Sequence, residues 1–177
     1  MRLVNTIKTS SRKTANKVAA KTSIYDIAIN DIEGNPIKLS NLKGKKLLFV
    51  NVASKCGFTG QYASLQELYN KYQEKLMIIA CPCNQYGKQE SGDASQIQSF
   101  CERNYGVTFL VTEKINVRGS NQHPLYQWLT NKEKNGIKNS SVKWNFQKYL
   151  VDEQGEYIDF YFSTTKPTSS SIVRHLR

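Results

Sequence analysis

Lys46-Leu47-Leu48-Phe49-Val50-Asn51-Val52 is an apolar run interrupted only by Asn51, and it stops at Ala53-Ser54-Lys55-Cys56-Gly57-Phe58-Thr59-Gly60-Gln61-Tyr62. A run of this kind predicts a strand buried on both faces. Beyond it, Tyr62, Leu65, Leu68, Tyr69 and Tyr72 recur at steps of three and four, which marks one face of a helix, and Leu76-Met77-Ile78-Ile79-Ala80 is a second buried strand. Together they predict a β-α-β unit with parallel strands and a right-handed crossover. Cys56 falls at the strand-to-helix junction. There a helix N-terminus and the neighbouring Lys55 lower the cost of a thiolate, the form that does the chemistry. The competing reading is a small, inert core residue.

Upstream, Ile24-Tyr25-Asp26-Ile27-Ala28-Ile29 and Ile37-Lys38-Leu39 flank Glu33-Gly34-Asn35-Pro36, which predicts an N-terminal β-hairpin. Downstream, Asp93-Ala94-Ser95-Gln96 has the form of a capping box, opening a helix with Ile97, Phe100 and Cys101 on one face. Val107-Thr108-Phe109-Leu110-Val111 reads as extended, and residues 121–131 as a helix with Pro124 in its first turn. Residues 148–152 and 157–162 read as strands around a turn, and 168–176 as a closing helix. This order sets helices against both faces of a mixed sheet, an α/β, thioredoxin-like fold.

A chain of 177 residues, 39 % hydrophobic and 22 % charged, suits one domain with one core. Residues 1–22 hold six of the 25 Lys and Arg and none of the 14 Asp and Glu, more than half of the net +11. They are set apart as a basic arm, with the domain over 23–177. The arm reads as a loosely held tail, a helix across the domain, an expression remnant or an organelle presequence. It has no aromatic residue to stack on bases, so nucleic-acid binding is not expected. No apolar run reaches the roughly 20 residues of a transmembrane helix. A cytoplasmic location is expected, with an organelle left open by the arm. The four cysteines, Cys56, Cys81, Cys83 and Cys101, fit redox chemistry better than a disulfide scaffold. Cys81-Pro82-Cys83 lacks zinc-site spacing and His123 and His175 lie far off, so no metal is expected.

Three polar clusters stand at predicted strand ends: residues 51–59, residues 83–90, and Trp144-Asn145-Phe146. Sites gather outside the ends of parallel strands, so the three could meet at Cys56. Here the chain resembles the glutathione peroxidases, in their cysteine form. Asn51-Val52-Ala53-Ser54-Lys55-Cys56-Gly57 resembles the family's nucleophile motif, Pro82-Cys83-Asn84-Gln85-Tyr86-Gly87-Lys88-Gln89-Glu90 the second and Lys143-Trp144-Asn145-Phe146 the third. Phe100-Cys101-Glu102-Arg103-Asn104-Tyr105-Gly106-Val107-Thr108-Phe109 and His123-Pro124-Leu125-Tyr126 match too, so the resemblance runs over about residues 24–177.

The resemblance implies a tetrad of Cys56, Gln89, Trp144 and Asn145, with Lys55 and Asn84 in support. A thiolate attacking an O–O bond needs stabilised charge and a protonated leaving oxygen, and neutral amide and indole donors meet both needs. The resemblance further implies a Cys56 sulfenic acid resolved by Cys101. The substrates would be hydrogen peroxide and organic or lipid hydroperoxides, and thioredoxin or glutathione would be the electron donor, with no bound cofactor. The arginine set of glutathione users is not identifiable, which favours thioredoxin. The short segment between Thr130 and Lys143 implies a monomer. Gly60, Ser91 and Leu110 replace prolines usual in the family, which predicts looser turns. A peroxide sensor and a thiol–disulfide oxidoreductase on the same fold remain alternatives. The second normally needs C-x-x-C, and position 59 is Thr.

Overall fold

The computed structural model describes residues 22–177, so all of the predicted basic arm but Thr22 lies outside the described residues. Five strands, β1 (Lys46–Val52), β2 (Leu76–Pro82), β3 (Leu110–Val111), β4 (Lys148–Val151) and β5 (Tyr157–Tyr161), form one sheet in the order β3-β2-β1-β4-β5. β1 and β2 run parallel from Lys46 opposite Leu76 to Val52 opposite Pro82. β3 is parallel to β2, whereas β4 is antiparallel to both β1 and β5. The helices are α1 (Gln61–Tyr72), α2 (Ala94–Tyr105), α3 (Pro124–Thr130), α4 (Lys132–Asn135) and α5 (Ser170–Val173).

The apolar run at β1 takes the central place because both of its faces can be covered. Leu47 and Phe49 face a core that includes Leu125, Tyr126, Trp128 and Leu129 of α3. Leu48, Val50 and Val52 face a second core with Tyr62, Leu65 and Leu68 of α1 and Ile97 and Cys101 of α2. Each fully buried side chain of this size stabilises the fold by about 1.5–3 kcal/mol relative to exposure. At α2 the capping box forms as predicted. Asp93 Oδ1 accepts from Gln96 N at 2.8 Å, and Gln96 Oε1 accepts from Asp93 N at 2.9 Å.

The predicted N-terminal hairpin does not form. Ile24–Asp26 is a 3-10 turn capped by Ser23, and only an isolated bridge joins Asn30 to Pro36. Two competing interactions explain this. Asp31 Oδ1 accepts from Glu33 N and Asn35 N, which curls the connection and takes the Asn35 amide out of the ladder. Tyr25 instead turns to the β4–β5 turn, where its hydroxyl donates to Glu153 O at 3.1 Å. Its ring lies so close to Gly155 that a Cβ there would sit 2.5 Å from it.

Candidate active site

Cys56 lies in the turns between β1 and α1, half-buried at the edge of the second core. Its loop is pinned by Thr59, whose Oγ1 accepts from Cys56 N at 2.9 Å and donates to Ala53 O at 2.7 Å. The amide of Phe58 donates to Cys56 Sγ at 3.4 Å. Lys55, expected to act on Cys56 by charge, extends its Nζ to within 3.5 Å of Ser91 Oγ.

Hydrogen bonds to the main chain bring the other two motifs to this loop. Lys55 N donates to Gln89 O at 3.1 Å, and Asn51 Nδ2 donates to Trp144 O at 3.1 Å. Asn51 Oδ1 also accepts from Gln147 N, and Asn51 O from Phe146 N at 2.6 Å. Because β4 runs antiparallel to β1, the residues that precede β4 reach the same end of the sheet as those that follow β1 and β2. The second and third motifs then join directly, as Asn145 Nδ2 donates to Gln89 Oε1 at 3.0 Å. Asn84 Oδ1 accepts from Glu90 N at 2.9 Å and closes the loop that carries Gln89. Gly87, at φ 62°, fits there because a Cβ would meet the Gln89 side chain at 3.3 Å.

Asn145 is fully buried, Gln89 half-buried and Trp144 39 % exposed. Gln89 Nε2 and Trp144 Nε1 make no hydrogen bond among the described residues, so these donors are unspent. Cys101 lies on the buried face of α2, 1 % exposed, in the same apolar cluster that Cys56 borders. Burial pushes its thiol up to about 11 against a smaller opposing effect of Tyr62. Burial likewise pushes Cys81 up to about 12. Beside Gln89, Glu90 is buried, and burial raises its carboxyl above the ordinary range while Ser54 opposes. No group of three His, Cys, Asp or Glu capable of holding a metal occurs among the described residues.

Asn51 and Thr59 belong to quoted motifs, but their sequence spacing carried no sign that they fasten the site. Tyr86 and Lys148 were also missed. Lys148 stands at the start of an apolar strand, the one available sign that its charge is buried. The only non-glycine residues with positive φ among those described are Lys88 (53°) and Phe146 (64°), which adjoin Gln89 and Asn145.

A half-buried thiol outside the end of a central strand, with two further motifs hydrogen-bonded to its loop and Thr59 where a C-x-x-C partner would stand, points to a cysteine-based peroxidase on a thioredoxin-like fold. Residues 24–130 match the family described as glutathione peroxidase. A "glutathione peroxidase-like peroxiredoxin gpx1" of Schizosaccharomyces pombe is 52 % identical over 145 residues, 81 % of this chain and 90 % of the relative. A "hydroperoxy fatty acid reductase gpx1" of Synechocystis is 44 % identical over 156 residues, 84 % of this chain and 91 % of the relative. The crystal structure of Trgpx in its apo form superposes with a TM-score of 0.67 at 37 % identity, covering 89 % of this chain and 97 % of that one. The chain belongs to the glutathione peroxidase family and is a hydroperoxide-reducing peroxidase of the cysteine type.

Proposed function

We propose that Cys56 is the peroxidatic nucleophile, that Gln89, Trp144 and Asn145 stabilise its thiolate and the departing oxygen, and that Cys101 resolves the product. The hydrogen bonds that gather three separated motifs at the Cys56 loop carry this reading. The thiolate attacks the distal peroxide oxygen, the O–O bond breaks, and the leaving alkoxide takes a proton to give alcohol or water. Cys56 is left as a sulfenic acid. The Cys101 sulfur then attacks Cys56, a disulfide forms and water leaves. Two electrons and two protons, from one dithiol or from two monothiols, restore both thiols. Thioredoxin is the donor we favour, with glutathione the alternative.

Cys101 is on the buried face of α2, so its step requires that helix to open locally and bring the sulfurs within bonding reach. The half-exposed position of Cys56 and the exposed Trp144 suit bulky substrates, and the likeness to a hydroperoxy fatty acid reductase supports lipid hydroperoxides among them. A monomer in the cytoplasm completes the proposal.

Peroxide-dependent NADPH consumption, coupled in turn to a thioredoxin and a glutathione system, tests it. Cys56→Ser should abolish turnover. Cys101→Ser should retain the first oxidation by peroxide and lose thioredoxin-linked turnover. Unchanged turnover in Cys101→Ser would remove the resolving role, and a Cys56 thiol inert to peroxide would favour the disulfide oxidoreductase.

A further inference from the structure

We infer that Tyr86, clamped by Arg118, is a positioning residue for Trp144 and Asn145. The inference rests on the proposed role of those two side chains in the Cys56 site. Tyr86 meets the third motif and the residue before it at three points. Its hydroxyl donates to Val142 O at 2.6 Å, its carbonyl oxygen accepts from Asn145 Nδ2 at 3.5 Å, and its ring centroid lies 5.6 Å from that of Trp144. Val142 precedes Trp144 by two residues and Asn145 follows it, so one tyrosine spans the segment that presents the indole. Trp144 is 39 % exposed and its Nε1 makes no hydrogen bond among the described residues. The neighbouring Tyr86 ring is therefore a principal restraint on where that N–H points.

Tyr86 is held in turn by Arg118 and through its neighbour Gln85. The Arg118 guanidinium lies over its ring, 4.4 Å from the centroid, and Arg118 Nη2 donates to Gln85 O at 3.0 Å. Gln85 answers with its side chain. Its Oε1 accepts from Val117 N at 2.7 Å and Arg118 N at 3.1 Å, and its Nε2 donates to Arg118 O at 2.9 Å. Four hydrogen bonds thus lock the residue before Tyr86, while a planar cation covers the tyrosine itself. A guanidinium can lie flat on an aromatic face and still donate in its own plane, which an ammonium cannot do. An exposed arginine of this kind could instead be a stability contact alone, and activity measurements separate the two roles. Reacting groups displaced by about 1 Å can lose roughly a hundredfold in rate, so a loosened indole has a kinetic signature.

The test compares Arg118→Met, Arg118→Lys, Tyr86→Phe and Trp144→Phe in the full chain. It reads the second-order rate of Cys56 oxidation by hydrogen peroxide and the acrylamide quenching of tryptophan fluorescence. Quenching reports chiefly on Trp144, since Trp128 is 1 % exposed. Arg118→Met should slow oxidation roughly tenfold and raise quenching, consistent with a barrier change of one factor of ten. Arg118→Lys should recover part of both. Tyr86→Phe keeps the ring, drops only the bond to Val142 and should slow oxidation about threefold. A wild-type rate in Arg118→Met, beside a slow Trp144→Phe, overturns the inference and leaves the donor reading standing. A wild-type rate in Trp144→Phe removes the donor reading and the inference with it. Should Arg118→Met fail to fold, a wild-type rate in Tyr86→Phe is the overturning result.

Discussion

Surroundings, more than identity, separate the thiols of this chain. Cys56 is half-buried with an amide aimed at its sulfur, whereas Cys81, Cys83 and Cys101 are buried and burial pushes each of them up. For Cys101, raised from 9.0 to about 11, the folded state holds the proton longer than the unfolded chain. The stability linked to it is therefore fully present below pH 9 and is lost as pH rises through 11. Urea unfolding of reduced wild type and Cys101→Ser between pH 8 and 11 should show wild type losing more stability across that window, and parallel curves would contradict the assignment. Cys56, Gln89 and Asn145 were readable in the sequence because their residue types stand in recognisable motifs. The Asn51 bonds were not, since they depend on β4 arriving antiparallel beside β1, which no local pattern encodes. The direction of the Lys55 side chain was equally hidden.

Among elements, the first turn of α1 and the start of β4 are joined by a buried cation. Lys148 Nζ donates to Gln61 Oε1 at 2.5 Å, Thr165 O at 2.6 Å and Ser163 O at 3.3 Å, and Gln61 Nε2 donates to Ser163 O at 2.6 Å. Burial pulls this lysine down to about 7, yet three acceptors match the three donors of an ammonium. Lys148→Met relieves the cost of burying charge but strands Thr165 O and Gln61 Oε1, while Ser163 O keeps its bond from Gln61 Nε2, and the stranding should prevail. The expected loss is about 2 kcal/mol, read as a lower thermal midpoint. A midpoint at or above wild type would show that desolvation dominates. The helices and strands with long periodic patterns were legible in the sequence, α1 and β1 above all. The N-terminal segment was not, because its alternation of apolar residues serves a 3-10 turn and a tyrosine reaching toward β4 and β5.

At the scale of the molecule, the proposed cycle sets a stable helix against a necessary opening. α2 is closed at its start by the capping box and at its end by Gly106 in the left-handed region, and Cys101 sits between them. Hydrogen exchange followed by mass spectrometry should show the amides of residues 97–105 exchanging at least tenfold faster after peroxide treatment than in the reduced protein. Equal protection in both forms would remove the helix-opening step. The positive φ values of Lys88 and Phe146 reach further still. Each costs about 1–3 kcal/mol relative to a relaxed backbone, and each stands beside a partner in the Gln89–Asn145 hydrogen bond. The peptides bearing these motifs, cut out and grafted onto another scaffold, would relax away from the geometry they hold here. Transplanting this chemistry therefore means carrying over the sheet that bends those two residues, since the site has no existence as a portable set of side chains.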